Sequence, residues 1–201
     1  MKILFVCTGN TCRSPMAEAL LKKKAPKIQV QSAGIFAQEN GPISPLAQKA
    51  LENRQITASI RSQAVSEELI KWADLVLTMT TNHKQALIIQ FPQYQHKYYT
   101  LKEYASDADK KVWEQLKRMY ADVEEKRNLF IQKNKRKWNT SELEEKVEDH
   151  IREDRLKMNE LEKQLISYNI SDPFGGDLPV YEETLIELEK HIDLLIKKLN
   201  G

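Results

Sequence analysis

Lys2-Ile3-Leu4-Phe5-Val6-Cys7-Thr8-Gly9-Asn10-Thr11-Cys12-Arg13-Ser14-Pro15 opens the chain after Met1 and decides how the rest is read. Lys2 to Val6 is a β-branched and aromatic run, which predicts a strand. Cys7 to Arg13 reads as a loop. Ser14-Pro15 predicts a helix start, with Ser as the N-cap and Pro at the first helical position. That helix runs through Met16, Ala17, Leu20 and Leu21 and stops at Pro26. Further strands are expected at Ile28 to Ser32, Leu75 to Met79 and Tyr98 to Leu101. Helices are expected from Ser44-Pro45 through Leu51, from Ser66 to Trp72, from about Asn82 to Phe91, and from Pro179 along Leu185, Leu188, Ile192, Leu195 and Leu199. Strands alternating with helices predict an α/β fold. The expected form is a small doubly wound four-stranded parallel sheet with helices on both faces.

One third of the chain does not follow that alternation. From Ala105 to Ser171 there are 15 basic and 15 acidic side chains, half of the formal charges of the protein. Within it Val112, Leu116, Met119, Val123 and Phe130 recur at helical spacing. So do Leu143, Val147, Ile151, Met158, Leu161 and Leu165 after a break at Trp138-Asn139-Thr140. Ser141 to Glu144 has the form of a capping box. A narrow apolar stripe with charged flanks predicts an inserted antiparallel α-helical hairpin over 105–171, its turn near Lys133 to Thr140. One long frayed helix or partial disorder is the other reading. The remaining residues, 1–104 and 172–201, form the expected catalytic domain.

Composition excludes several function classes. The 31 Lys+Arg against 29 Asp+Glu leave a net charge of +2, so neither nucleic acid nor an anionic membrane is an expected partner. No run approaches the roughly 18 apolar residues of a membrane span, and Ile3 to Val6 is too short for a signal peptide. A cytoplasmic location is expected. Cys7 and Cys12 do not make the disulfide framework of a small secreted protein. His83, His96, His150 and His191 show no paired ligand spacing, so neither a metal nor another cofactor is expected.

The first loop carries the chemistry. A strand end leading into a helix N-terminus gathers backbone N–H groups into one concavity, where the unpaired donors and the helix dipole favour an anion. Gly9 permits a left-handed backbone and Asn10 tolerates it. Arg13 adds a planar bidentate donor for phosphate oxygens. The same field favours the thiolate of Cys7, and the Ser14 hydroxyl can hydrogen-bond to that thiolate. Nucleophile, anion cradle and charge clamp together suit phosphoryl transfer through a cysteinyl-phosphate. Thr8, Gly9, Asn10, Thr11, Cys12 and Ser14 are the candidate phosphate- and substrate-binding residues. The bland alternative makes Cys7 a buried packing residue and Arg13 a surface one.

Cys-x-Gly-Asn-x-Cys-Arg-Ser-Pro at residues 7–15 resembles the low-molecular-weight protein tyrosine phosphatase family, as do Ser32-Ala33-Gly34 and Ala73-Asp74-Leu75 to Met79. The resemblance implies a catalytic Cys7 and Arg13. It also implies a general acid from an Asp-Pro near the C-terminus, here Asp172-Pro173, which later acts as base on the hydrolytic water. Tyrosine-specific members usually carry a bulky aliphatic residue before the second cysteine and tyrosines after the Asp-Pro. This chain has Thr11 and Phe174-Gly175-Gly176, which look like the protein-arginine phosphatases of bacteria in that family. The implied substrates are proteins phosphorylated on arginine; a phosphotyrosine phosphatase is the alternative. A hydroxyl at position 11 suits a polar guanidinium or an attacking water, and Phe174 could form an apolar wall. Thr11 could instead be a tolerated loop residue, and Phe174 part of the core.

By the same resemblance Cys12 is a redox partner that can form a reversible disulfide with Cys7; otherwise it is a packing residue. Thioredoxin-coupled arsenate reductases share the fold and loop, but their relay needs later cysteines and none follows Cys12. An inactive phospho-binding module is the remaining alternative. The 105–171 hairpin departs from the family pattern. It reads as a passive insertion or as a docking arm for a protein partner, with Lys133, Lys135, Arg136 and Lys137 near its turn.

Overall fold

In the computed structural model, residues 1–106, 110–163, 165 and 167–200 are described; the other six positions, five of them in the segment read as the hairpin, lie outside the described residues. The chain divides into two compact units, Met1–Ser106 with Tyr168–Gly201, and Asp107–Ser167.

The first unit is built on a four-stranded parallel sheet in the order β2-β1-β3-β4. The strands are β1 Lys2–Cys7, β2 Gln29–Gly34, β3 Leu75–Thr78 and β4 Tyr98–Thr100. β1 pairs with β2 on one edge (Val6 opposite Ala33) and with β3 on the other (Val6 opposite Thr78). Ile3, Leu4, Phe5 and Val6 are all fully buried because both faces of the sheet are covered. Ile3 and Phe5 pack on one face with α1 Arg13–Lys24, α2 Pro45–Asn53, α5 Leu101–Ala105 and α8 Leu178–Asn200. Leu4 and Val6 pack on the other with α3 Glu67–Trp72 and α4 Thr81–Gln90. Each such side chain contributes about 1.5–3 kcal/mol of burial free energy. The doubly wound sheet read from the sequence is therefore the fold. Connections leave β1 and β3 toward opposite edges, so the crevice between their carboxyl ends is where such sheets bind ligands.

Several local readings are corrected. β1 includes Cys7, so the nucleophile candidate sits on the rigid strand end rather than in the loop. Ser14 is not the cap of α1: the helix starts at Arg13 with Cys12 at the N-cap and no side-chain cap. Ser14's hydroxyl is engaged elsewhere, as described below. β4 ends at Thr100, whose hydroxyl accepts from the Glu103 N–H in a capping box that starts the unforeseen helix α5.

The second unit consists of α6 Lys110–Asn134 and α7 Thr140–Glu162. Lys126 pairs with Asp154 at 2.7 Å, Tyr120 with Glu162, and Phe130 stacks on His150, pairings that descend in step and make the helices antiparallel. Leu116, Val123, Val147, Ile151 and Met158 are its buried stripe. The cap of α7 is Asn139, reciprocally bonded with Glu142, and not Ser141. The sequence holds both frames, two residues apart, and the helix takes the earlier one.

Candidate active site

Residues 7–13 wrap one concavity at the carboxyl end of β1. The left-handed residue there is Asn10, at φ 54°; Gly9 is not left-handed. Asn10 is fully buried and its side chain explains the choice. Its Nδ2 donates to Ser14 Oγ at 2.9 Å and Ser32 Oγ at 2.8 Å, and its Oδ1 accepts from the Gln63 N–H at 3.0 Å. Ser32 in turn donates to the buried carboxylate of Glu18 at 2.6 Å. This polar chain behind the loop locks its shape. Gly34 belongs to the same device: a Cβ there would lie 2.7 Å from the Thr8 carbonyl oxygen and 2.8 Å from the Asn10 nitrogen. Only glycine lets the end of β2 approach the loop so closely.

Cys7 Sγ accepts the Asn10 N–H at 3.3 Å and lies 3.0 Å from Ser14 Oγ. Ser14, freed from capping, is a hydroxyl partner for the sulfur, and its Oγ also donates to the Ala33 carbonyl at 3.3 Å. The Arg13 guanidinium is 5% exposed. Its Nη2 donates to Asp172 Oδ2 at 2.7 Å and to Thr8 Oγ1 at 3.4 Å. Asp172 also accepts the Phe174 N–H at 3.2 Å, and Gly175 closes that turn at φ 83°. The segment before it is fixed to the sheet and to α8. Ile170 N–H donates to the Met79 carbonyl at 2.8 Å, and Ser171 N–H to Glu187 at 3.0 Å.

Cys7, Thr8, Gly9, Thr11, Cys12, Arg13, Asp172 and Phe174 line a cavity of about 210 Å³. Larger hollows of about 470 and 580 Å³ lie near Lys22 and on the second unit, but neither contains a cysteine. Chemistry rather than size singles out the smaller one. Phe174 is 82% exposed, so the core alternative for it is excluded. Asn10 and Ser14, read as binding residues, do not line the cavity; they buttress it from behind. Cys12 Sγ is 3.4 Å from Tyr181 Oη, which also accepts from Ser44 Oγ at 3.2 Å. Both cysteines are buried free thiols. Among the described residues no cluster of His, Cys, Asp and Glu could hold a metal ion.

Sequence reasoning missed Glu18, Ser32, Gln63 and His83. His83, near the start of α4, is buried and bonds at both ring nitrogens: Nε2 to Thr8 Oγ1 at 2.8 Å, Nδ1 to Thr80 Oγ1 at 2.9 Å. Burial, and beside it the positive charge of Arg13, hold its imidazole down to about 4 against the opposing pull of Asp172, so the ring is neutral at pH 7. No local sequence signal marks His83; only the packing of α4 beside the loop reveals it.

Known proteins resemble this chain over nearly its whole length. Residues 2–149 match the family described as low molecular weight phosphotyrosine protein phosphatase. The chain is 51% identical to a protein-arginine-phosphatase of Bacillus subtilis, over 99% of this chain and 97% of that one. It is 34% identical to a protein-arginine-phosphatase of Geobacillus stearothermophilus, over 98% and 95%. A solved structure of YwlE arginine phosphatase, a mutant with a phosphorylated active-site serine, superposes with a TM-score of 0.69 at 33% identity, covering 100% of this chain and 97% of that one.

Proposed function

The chain belongs to the low molecular weight phosphotyrosine protein phosphatase family, and from that premise we propose that it hydrolyses phosphoarginine on proteins through a cysteinyl-phosphate on Cys7. The observation that carries this reading is the make-up of the cavity: the Cys7 and Cys12 thiols, one guanidinium and one carboxylate, walled by Thr11 and Phe174. The names of the two relatives similar over nearly the whole chain support the substrate. A phosphotyrosine phosphatase, as the family description reads, is the alternative. The hydroxyl of Thr11, where an aliphatic side chain would pack on an aryl ring, favours the guanidinium.

The reaction runs in two displacements. The Cys7 thiolate attacks phosphorus, the S–P bond forms and the P–N bond breaks. Asp172 delivers its proton to the departing guanidino nitrogen. Arg13 and the loop N–H groups hold the equatorial phosphoryl oxygens, where charge is concentrated during transfer. Asp172 then takes a proton from water, whose oxygen attacks phosphorus, and the S–P bond breaks to release phosphate. The Ser14 hydroxyl, 3.0 Å from the sulfur, stabilises Cys7 as the leaving thiolate.

The deciding measurement is hydrolysis of matched phosphoarginine and phosphotyrosine peptides. Wild-type protein is expected to prefer phosphoarginine and Thr11→Ile to move the preference toward phosphotyrosine. A wild type that cleaves only phosphotyrosine overturns the substrate assignment. Activity surviving in Cys7→Ser overturns the covalent route.

Two finer readings accompany this one. In a cytoplasmic setting Cys12 serves as the resolving thiol: peroxide oxidises Cys7 to the sulfenic acid, and Cys12 sulfur displaces water to form a disulfide. Mass spectrometry that finds only sulfinic or sulfonic Cys7 after peroxide refutes it. The hairpin is a passive insertion rather than a docking arm. Replacing residues 107–167 by a short linker leaves hydrolysis of small and protein substrates unchanged on that reading; loss of protein substrates alone would assign it to docking.

A further inference from the structure

Thr8 stands at the cavity wall with two partners other than substrate. Its Oγ1 accepts from Arg13 Nη2 and lies 2.8 Å from His83 Nε2. A hydroxyl has one proton and two lone pairs, so the use of that proton depends on the imidazole tautomer. If Nδ1 carries the ring proton, Thr8 must donate to Nε2, and its O–H points away from the cavity. If Nε2 carries it, Thr8 accepts from both His83 and Arg13, and its own proton is left for the cavity. Thr80 can serve either state. It accepts the His83 backbone N–H at 3.2 Å, and its O–H can donate to Nδ1.

An anion in the cavity breaks the tie. It supplies an acceptor for the Thr8 O–H, whereas Thr80 does not line the cavity and gains none. We propose that His83, as its Nε2–H tautomer, is a positioning residue that turns the Thr8 hydroxyl proton toward the bound phosphoryl group, making Thr8 a side-chain donor to it. The neutrality of the ring fits the role, since a cation there would oppose Arg13. The loop then offers the phosphoryl oxygens a hydroxyl donor in addition to its N–H groups and the guanidinium. The proposal rests on the phosphatase reading but not on arginine as the substrate.

The test therefore uses an aryl phosphate, para-nitrophenyl phosphate, and inorganic phosphate. Thr8→Val and His83→Leu are each expected to lower kcat/KM by about tenfold, the scale of one lost hydrogen bond, and to weaken phosphate inhibition in parallel. The double variant should be no worse than either single one. His83→Gln, whose amide can donate in place of Nε2–H, and Thr8→Ser should recover most of the loss. Losses that multiply to about a hundredfold overturn the proposal, as does a His83→Gln as impaired as His83→Leu while equally folded. If His83→Leu does not fold, nitrogen NMR of the His83 ring in wild-type protein decides. With saturating inorganic phosphate the proton must be on Nε2; a proton on Nδ1 refutes the mechanism. That measurement needs no turnover, so it is independent of whether phosphoarginine is hydrolysed.

Discussion

The two units carry equal numbers of formal charges, 30 each, yet use them in opposite ways. In the hairpin every described charged side chain lies outside the buried set, and the pairs, such as Lys126 with Asp154 and Arg155 with Glu148, sit at the surface. In the sheet unit Arg13 and Glu18 are each 5% exposed, and both are hydrogen-bonded around one loop. Surface pairs in water contribute little, whereas desolvated charges act strongly on their neighbours. Half the charge of the protein thus lies on the surface of a helical pair, while two buried charges flank the loop of the candidate site.

The sharpest way to break this contrast is at the loop. Gly34→Ala forces a Cβ onto the Thr8 and Asn10 backbone, and we expect a destabilisation of about 1–3 kcal/mol together with a fall of at least about tenfold in kcat/KM. A fully active, equally stable variant would show that the loop does not need this close approach. Gly9→Ala meets only Thr11 Oγ1, at 3.7 Å, and serves as the control for space.

Leu116→Ala attacks the other unit. Leu116 is fully buried, and its truncation costs about 2–5 kcal/mol. Hydrogen exchange should report faster opening across the hairpin while phosphatase activity stays within about twofold. Equal loss of protection in β1 would mean that the units unfold as one.

The pH response comes from the sheet unit. His83 is held neutral down to about 4 by burial and by Arg13, while an unfolded chain takes up the proton near its ordinary value of 6.5. The unfolded state therefore binds more protons between these values. Stability is fully present above pH 6.5 and declines as the pH falls toward 4. The melting temperature of His83→Gln should fall less steeply across that window than that of the wild type; identical slopes would exclude this linkage. Glu187 acts in the same direction: burial pushes it up, but Lys102 and the Ser171 N–H outweigh that and hold it low, so this contribution too is lost on acidification. The smallest effect is expected from Lys126→Ala, a shift in melting temperature of no more than about 2 °C.

The sheet was legible because β1 writes its two buried faces into four consecutive apolar residues, and because Pro15 and Pro45 mark helix entries. Cys7, Arg13 and Asp172 were singled out by residue type and the family likeness, and the structure brings the three to one cavity. The supports were not. Asn10, Ser32 and Gln63 meet although 53 positions separate the first from the last, and His83 reaches Thr8 across 75. Such contacts arise from strand order rather than from any local period. Ser14 shows the limit of local rules: capping statistics claim its hydroxyl for the helix, but its partners are the Cys7 sulfur, the Asn10 amide and the Ala33 carbonyl. Gly9 and Asn10 were both in view for the left-handed position, and the three partners of the Asn10 amide explain why it falls at residue 10.

The anchoring of Ile170 to Met79 and of Ser171 to Glu187 has a consequence for how this chain can vary. The peptide re-enters the sheet unit at a fixed seam just before Asp172, so the address of the carboxylate is written in the residue that follows β3 and in α8. On the proposed passive reading of the insertion, sequence change upstream of that seam, between 107 and 167, leaves the address untouched. On that reading the seam is a splice point beside the proposed general acid, where a new module can be grafted without re-solving the chemistry.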